Sequence, residues 1–408
     1  MLKWKDKRRI VLGVTGGIAA YKAPEILRAL VKAGCEVEVV LTESAEAFVS
    51  PMVLSTLAGR RVWRQRDFLS DENGWKIPHI HLADWAEVVI VAPCTAETLT
   101  HLIEGKGEML LDALVLASKA PILLFPAMNV HMLEHPATKN NVKRAAELGY
   151  KVIDPESGTL ACGYEGQGRL PDTSVIVEEA WRALSPLRDY DGVSTLITAG
   201  PTWEFLDPVR FISNPSSGKM GFALARTAWY RGAHVQLVSG PVSLPHPHGI
   251  SFRSVTTALE MRNAVIEEME NMDVIVKAAA VSDYRTAHTS EEKIKREGKD
   301  TLSLELVQNP DIAAEVGKRK GPHQILVGFA AESGHLVEHA RGKMERKNLD
   351  LIIANDITAT DAGFAADTNR VKIITREGDI TDFEGSKEEV AWHIWNIVAD
   401  LWQGRLSH

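Results

Sequence analysis

The sequence predicts two α/β domains, each built on a doubly wound, Rossmann-like parallel sheet with helices on both faces. Two observations carry that prediction. Short β-branched runs alternate with longer helical patterns along the chain. A glycine-containing turn follows the first strand of each half, at Gly13–Gly17 and again at Gly200. The length of 408 residues lies above the usual single-domain range, which fits two or three domains with sizeable cores.

In the first half, strands are expected at Ile10–Val14, Val37–Thr42, Val88–Ala92, Pro121–Ala127 and Lys151–Ile153, with helical patterns at Ala23–Ala33 and Leu110–Ser118. The segment Ala183–Gly192 gathers Ser185, Pro186, Asp189, Asp191 and Gly192 and reads as a linker, which divides the chain into domains 1–188 and 189–408. The second half repeats the pattern with strands at Thr195–Thr198, Val235–Val238, Val274–Ala278, Ile325–Phe329, Leu351–Ala354 and Val371–Thr375. Each run is continuously apolar, so each is expected to be fully buried. Val390, Ile394, Ile397, Val398 and Leu401 fall on one stripe of a closing helix. The Lys- and Glu-rich stretch Glu291–Asp300 reads as a mobile loop.

Composition excludes several classes of function. With 46 Lys and Arg against 54 Asp and Glu, the net charge is −8, which argues against a basic nucleic-acid binder. Apolar runs are strand-sized and far short of the roughly 20 residues that span a bilayer. The basic amino-terminal stretch runs into Gly13, Gly16 and Gly17 without a signal-like core, so a cytoplasmic protein is expected. Three scattered cysteines, Cys35, Cys94 and Cys162, are too few for a disulfide framework or a four-ligand zinc site.

The turns that follow strands are candidate anion sites, because helix amino termini offer unpaired N–H groups. Gly13-Val14-Thr15-Gly16-Gly17-Ile18 is not a GxGxxG fingerprint, and this argues against a pair of NAD-dependent dehydrogenase domains. Ser213-Asn214-Pro215-Ser216-Ser217-Gly218-Lys219-Met220-Gly221 ends like a P-loop, yet Met220 stands where a magnesium-binding hydroxyl is required. His131-Met132-Leu133-Glu134-His135 has zinc-peptidase spacing, but Pro136 follows at once and breaks the helix that such a site needs.

Several long motifs carry a resemblance. Gly16-Gly17-Ile18-Ala19-Ala20-Tyr21-Lys22-Ala23, His79-Ile80-His81-Leu82-Ala83-Asp84-Trp85-Ala86, Pro126-Ala127-Met128-Asn129 and Ser157-Gly158-Thr159-Leu160-Ala161-Cys162-Gly163 resemble the flavin-dependent phosphopantothenoylcysteine decarboxylases. Asp207-Pro208-Val209-Arg210-Phe211-Ile212-Ser213-Asn214 and Ala279-Ala280-Val281-Ser282-Asp283-Tyr284-Arg285 resemble phosphopantothenate–cysteine ligases. In this order, and over nearly the whole chain, the two halves resemble the bifunctional proteins of coenzyme A biosynthesis. The motifs argue against a regulatory relative that has lost its chemistry, since His79, Asn129 and Cys162 occur together.

That resemblance implies a flavodoxin-like amino-terminal domain that binds FMN and decarboxylates 4′-phospho-N-pantothenoylcysteine to 4′-phosphopantetheine. A carboxylate on a saturated carbon lacks an electron sink, which a flavin supplies by oxidising the substrate thiol. His79 would act in acid–base or positioning work, Asn129 would bind the substrate carboxylate, and Cys162 on a glycine-rich flap would donate a proton. FMN would meet Gly16, Gly17, Ile18, Thr42, Thr95, Ala96 and Glu97. In the last of these contacts Cys94 and Glu97 replace the alanine and asparagine usual in the family.

For the second domain the resemblance implies ligation of cysteine to 4′-phosphopantothenate with CTP and Mg2+ through an acyl-cytidylate. Asn214 would handle that intermediate and Lys293 would be the catalytic lysine facing phosphate. Asp283 would read cytosine through its N4 amino group. Lys277, Ala278, Ala279, Pro310, Asp311, Ile312, Ala313 and Phe329 would shape the CTP pocket. Lys343 and Lys347, four residues apart on one helix face, would meet the triphosphate. Trp203 and Arg296 depart from the family pattern. Metal ligands are not assigned. The resemblance also implies a homo-oligomer, with trimeric flavin domains and dimeric ligase domains.

Overall fold

A computed structural model describes residues 7–72, 76–159, 163–295, 301–332, 336–356 and 368–406. The chain divides between Ser185 and Pro186 into two compact units. In the amino-terminal unit, β1 (Arg9–Val14), β2 (Glu36–Leu41), β3 (Val62–Arg64), β4 (Val88–Cys94), β5 (Ile122–Pro126) and β6 (Lys151–Val152) form a parallel sheet in the order β3-β2-β1-β4-β5-β6. Val11, Val40, Val89, Val91 and Leu124 are buried with the helices that flank them, as continuous apolar strands require. An antiparallel hairpin follows, β7 (Glu156–Thr159) with β8 (Glu165–Arg169).

The carboxy-terminal unit contains β9 (Ser194–Ala199), β10 (Glu204–Phe205), β11 (Phe211–Ile212), β12 (His234–Ser239), β13 (Ser251–Ser254), β14 (Val274–Lys277), β15 (Tyr284–Thr286), β16 (Leu306–Gln308), β17 (Ile325–Glu332), β18 (Leu351–Asp356), β19 (Thr368–Thr375) and β20 (Ile380–Ser386). Eight of them form one sheet in the order β13-β12-β9-β14-β17-β18-β19-β20, while β10 with β11 and β15 with β16 are separate hairpins. The strands from β13 to β18 are parallel, and β19 and β20 are antiparallel additions.

Each expected strand is present, with ends shifted by a residue or a few. The expectation of full burial is corrected. Gln236, Ala278 and Phe329 are only half-buried within their runs, and Val371–Thr375 is not fully buried, because β19 runs antiparallel near the sheet edge, where one face meets water and burial alternates. The expected linker Ala183–Gly192 is not a free tether. Tyr190 is fully buried, its hydroxyl donating to the Trp395 carbonyl at 2.6 Å, and Asp189 accepts from Arg231 Nε at 2.9 Å and Nη2 at 2.5 Å. These partners lie far away in sequence, so the polar and proline content that marks a linker carries no sign of them. Residues 296–300, the second half of the expected mobile loop, lie outside the described residues.

Both parallel sheets reverse their strand order beside the first strand, between β1 and β4 and between β9 and β14. Ligands of open α/β sheets bind in the crevice beyond the carboxyl ends of the strands at this reversal.

Candidate functional sites

In the amino-terminal unit one threonine ties the two loops at the reversal. Thr15, 1% exposed, donates from Oγ1 to the Pro93 carbonyl at 2.8 Å and accepts from the Thr95 amide at 3.1 Å. Gly16 follows directly, and a Cβ there would fall 2.2 Å from Ser44 Oγ and 2.9 Å from the Ser44 carbonyl carbon. Only glycine lets this loop close onto the turn after β2. Thr42 caps that turn, accepting from the Ala45 amide at 3.3 Å, and Thr95 caps helix Ala96–Glu104, accepting from Thr98 N at 3.3 Å. Ala96 and Glu97 stand in the first turn, where amides have no intrahelical acceptor. The Glu97 side chain is exposed, so anion contact there falls to the backbone. Ile18, which opens the short helical turn after Gly17, is 59% exposed. The residues fit a flavin phosphate held by backbone amides and hydroxyls at a strand-order reversal.

His79 is the second residue of helix Pro78–Trp85, whose connection to β4 puts its amino end at the carboxyl edge of the sheet. Its Nδ1 is buried with no hydrogen-bond partner among the described residues, and its ring stands edge-on to Phe68 with centroids 5.3 Å apart. Asn129 caps the short helix Val130–Glu134, accepting at Oδ1 from the His131 amide at 2.9 Å. The two residues before it are tied to other elements, Ala127 N donating to the Cys94 carbonyl and Met128 N to the Gly168 carbonyl, both at 3.1 Å. The Pro-Ala-Met-Asn segment thus bridges β4 and the β7–β8 hairpin. Cys162 lies outside the described residues, between the two strands of that hairpin.

The carboxy-terminal unit has a cleft of about 390 Å³ at the carboxyl end of β14, reaching Gly328, Phe329 and Ala330 of β17. It is lined by Asn214, Lys277, Ala278, Ala279, Asp283, Pro310, Asp311, Ile312, Ala313, Phe329, Lys343 and Lys347, all of them expected from the sequence. Asn214 Nδ2 donates to the Val281 carbonyl at 3.1 Å and to that of Ala280 at 3.4 Å, which holds its amide at the rim. Asp311 caps helix Ile312–Arg319 and pairs with Lys347 at 3.0 Å. Although burial pushes its carboxyl up, the Ala314 amide and Lys347 bring it below its ordinary value.

Lys293 is exposed and is not among the residues lining the cleft. Its neighbour Ile294 is fixed: the Ile294 amide donates to Asp207 Oδ2 at 3.1 Å and its carbonyl accepts from Arg210 Nη2 at 2.8 Å. Sequence reading missed Asn309, whose Nδ2 donates to the Ser282 carbonyl at 2.8 Å on the cleft wall, and Lys387 at the start of the closing helix. Asn309 precedes Pro310-Asp311, and that proline was the signal available. Nothing local marks Lys387. Among the described residues no three His, Cys, Asp or Glu cluster as a metal site, and no helix is long and apolar enough to cross a membrane.

Comparison with known proteins agrees with this division. Residues 2–185 match the Flavoprotein family, and residues 190–401 match the DNA/pantothenate metabolism flavoprotein C-terminal domain. The coenzyme A biosynthesis bifunctional protein CoaBC of Bacillus subtilis is 44% identical over 400 residues, covering 97% of this chain and 98% of its own. The chain belongs to the CoaBC family. The Escherichia coli K12 member is 44% identical over 374 residues, covering 91% of this chain and 92% of its own. A crystal structure of the C-terminal domain of a CoaBC protein is 37% identical with a TM-score of 0.46, covering 53% of this chain and 99% of that one. The chain has both CoaBC halves, the flavoprotein unit with its loops at the β1–β4 reversal and the second unit with its cleft at the β9–β14 reversal.

Proposed function

We propose that this CoaBC protein performs two successive steps of coenzyme A biosynthesis, with the decarboxylase in residues 1–188 and the ligase in residues 189–408. The second unit joins cysteine to 4′-phosphopantothenate, using CTP with Mg2+ carried on its phosphates. The first converts the resulting 4′-phospho-N-pantothenoylcysteine to 4′-phosphopantetheine with FMN.

The observation that carries the ligase reading is the cleft itself, where Lys277, Lys343 and Lys347 meet Asp311, Asp283 and Asn214 at a strand-order reversal. A carboxylate acylates an amine only after activation. It attacks the α-phosphorus of CTP, pyrophosphate leaves, and the cysteine amine then displaces CMP from the acyl-cytidylate. Negative charge grows on phosphate in both steps, so the required groups are cations and oriented donors. Lysines on the helix Leu336–Lys347 supply charge, the Asn214 amide holds the activated acyl group, and exposed Asp283 accepts from the cytosine amino group. Lys293 reaches phosphate from the segment anchored at Ile294.

In the first unit, bound FMN supplies the electron sink that the carboxylate of a saturated carbon lacks. Gly16, Gly17 and the turns capped by Thr42 and Thr95 hold its phosphate. Asn129 takes the substrate carboxylate, His79 offers the unpartnered Nδ1, and Cys162 gives a proton. A cytoplasmic homo-oligomer, trimeric through the flavin domain and dimeric through the ligase domain, completes this reading.

Incubation with 4′-phosphopantothenate, cysteine, CTP and Mg2+ should release CMP and carbon dioxide and yield the thiol product by mass. Lys293→Gln should stop CMP release and leave flavin absorbance unchanged. Absence of CMP from the unmodified protein, or a protein that cannot be loaded with FMN, overturns the corresponding half.

A further inference from the structure

The Lys277 amine of the cleft is buried with no hydrogen-bond partner among the described residues. Lys277 is the last residue of β14, beside the point where the sheet order reverses, and is 8% exposed. In register it lies between Thr198 and Gly328. Thr198 Oγ1 accepts from the Ala279 amide at 3.2 Å. Gly328 offers no side chain, and a Cβ there would fall 2.5 Å from Leu349 Cδ1, so the space beside it is held by an apolar residue. Among the described residues Lys277 Nζ meets no hydrogen-bond partner, yet the residue lines the cleft.

An ammonium sealed from water without an acceptor is unfavourable. Burial pushes Lys277 down from 10.5 to about 7, with Asp311 opposing the shift and Lys347 adding to it. Asp311 is itself engaged by Lys347 at 3.0 Å, which leaves little of its charge for Lys277. Lys219, Lys343, Lys387 and Asp283 complete the charged lining of the cleft.

We propose that Lys277 is a proton-coupled receptor for the triphosphate: it takes one proton from solvent as the nucleotide enters, and the new ammonium donates to a phosphate oxygen. The inference rests on the CTP reading above. On release of the phosphate product the ammonium loses its acceptor and returns the proton to water. Such a receptor attracts a polyanion strongly only while the anion is present.

The test is calorimetric titration of the full chain with CTP and Mg2+ at pH 8, above the last phosphate ionisation, in buffers of different ionisation enthalpy. The unmodified protein should take up about one proton per nucleotide, and its affinity should fall nearly tenfold per pH unit above pH 8. Lys277→Arg, always charged, should bind without uptake and with affinity flat in pH, and Lys277→Met should bind at least tenfold more weakly without uptake. Thermal melts check that both variants fold. If either does not, the proton count and pH slope of the unmodified protein decide. Binding of CTP without proton uptake, or uptake that persists in Lys277→Met, overturns the inference and leaves the CTP reading intact. Inorganic tripolyphosphate is titrated in parallel. If it binds with Lys277-dependent uptake while CTP gives no heat, the coupling stands and the CTP reading falls, and if neither binds both fall.

Discussion

Thr15 and Thr95 are joined across the first sheet's reversal by a hydrogen bond of 3.1 Å from the Thr95 amide to Thr15 Oγ1. The same hydroxyl donates to the Pro93 carbonyl at 2.8 Å, so one buried side chain sets the spacing of the two loops at this reversal. Thr15→Val keeps the shape and removes the hydroxyl, leaving both backbone groups unsatisfied, at a cost of about 1–3 kcal/mol. Chemical denaturation should show that loss, and equilibrium dialysis should show weaker FMN retention, whereas Thr15→Ser should retain both.

Gly16→Ala should empty the flavin site more than it destabilises the fold. The added Cβ would meet Ser44 Oγ at 2.2 Å and the Ser44 carbonyl carbon at 2.9 Å, and the loop must move to relieve it. Combining it with Ser44→Gly removes the closer contact but not the backbone one. FMN occupancy, read from visible absorbance, should therefore be restored only in part.

Lys277→Met should stabilise the protein, by on the order of 1 kcal/mol near neutral pH, because it replaces a buried amine that has no partner among the described residues with an apolar chain of similar length. The folded-state value of about 7 lies below the ordinary 10.5, so between these limits the unfolded chain binds the extra proton. Native stability of the unmodified protein therefore rises with pH over that window, and the advantage of Lys277→Met narrows. Denaturation midpoints of the two proteins at pH 7, 8.5 and 10 give the comparison.

Asp207 should control the segment that carries Lys293. Its carboxylate, held well below the usual range by Arg210 and by the amides of Val209, Ile294 and Arg210, is the anchor for Ile294. Asp207→Asn weakens these contacts. Hydrogen exchange at the Ile294 amide should accelerate, CMP release should slow, and flavin absorbance should not change. Because the folded value is depressed, the contribution is present above the ordinary carboxylate value and is lost as pH falls through the folded one. The unmodified protein should thus show the faster Ile294 exchange only in strong acid.

Much of the fold and of the second site was legible because it is local. Val88–Ala92 and Val274–Ala278 read as buried parallel strands, and the strands Val88–Cys94 and Val274–Lys277 are. Asn214, Asp311, Lys343 and Lys347 came from motifs, and the cleft brings them together because each stands at a strand end or on a helix that returns to the same sheet edge. Ser251–Ser254 was missed because a short edge strand with polar residues has no period to read.

Sequence by itself determined two doubly wound domains, the family, and the strand-to-helix turns at each reversal, since strand period, turn chemistry and motif spacing all act over a few residues. Only the tertiary structure decided that Thr15 couples Pro93 to Thr95, that Tyr190 reaches Trp395 and Asp189 pairs with Arg231, and that Lys277 is a buried amine with no acceptor among the described residues. Each depends on which distant residue arrives beside it. Burial, which shifts a lysine from 10.5 to about 7, is a property of the surroundings and is written nowhere in the residue itself.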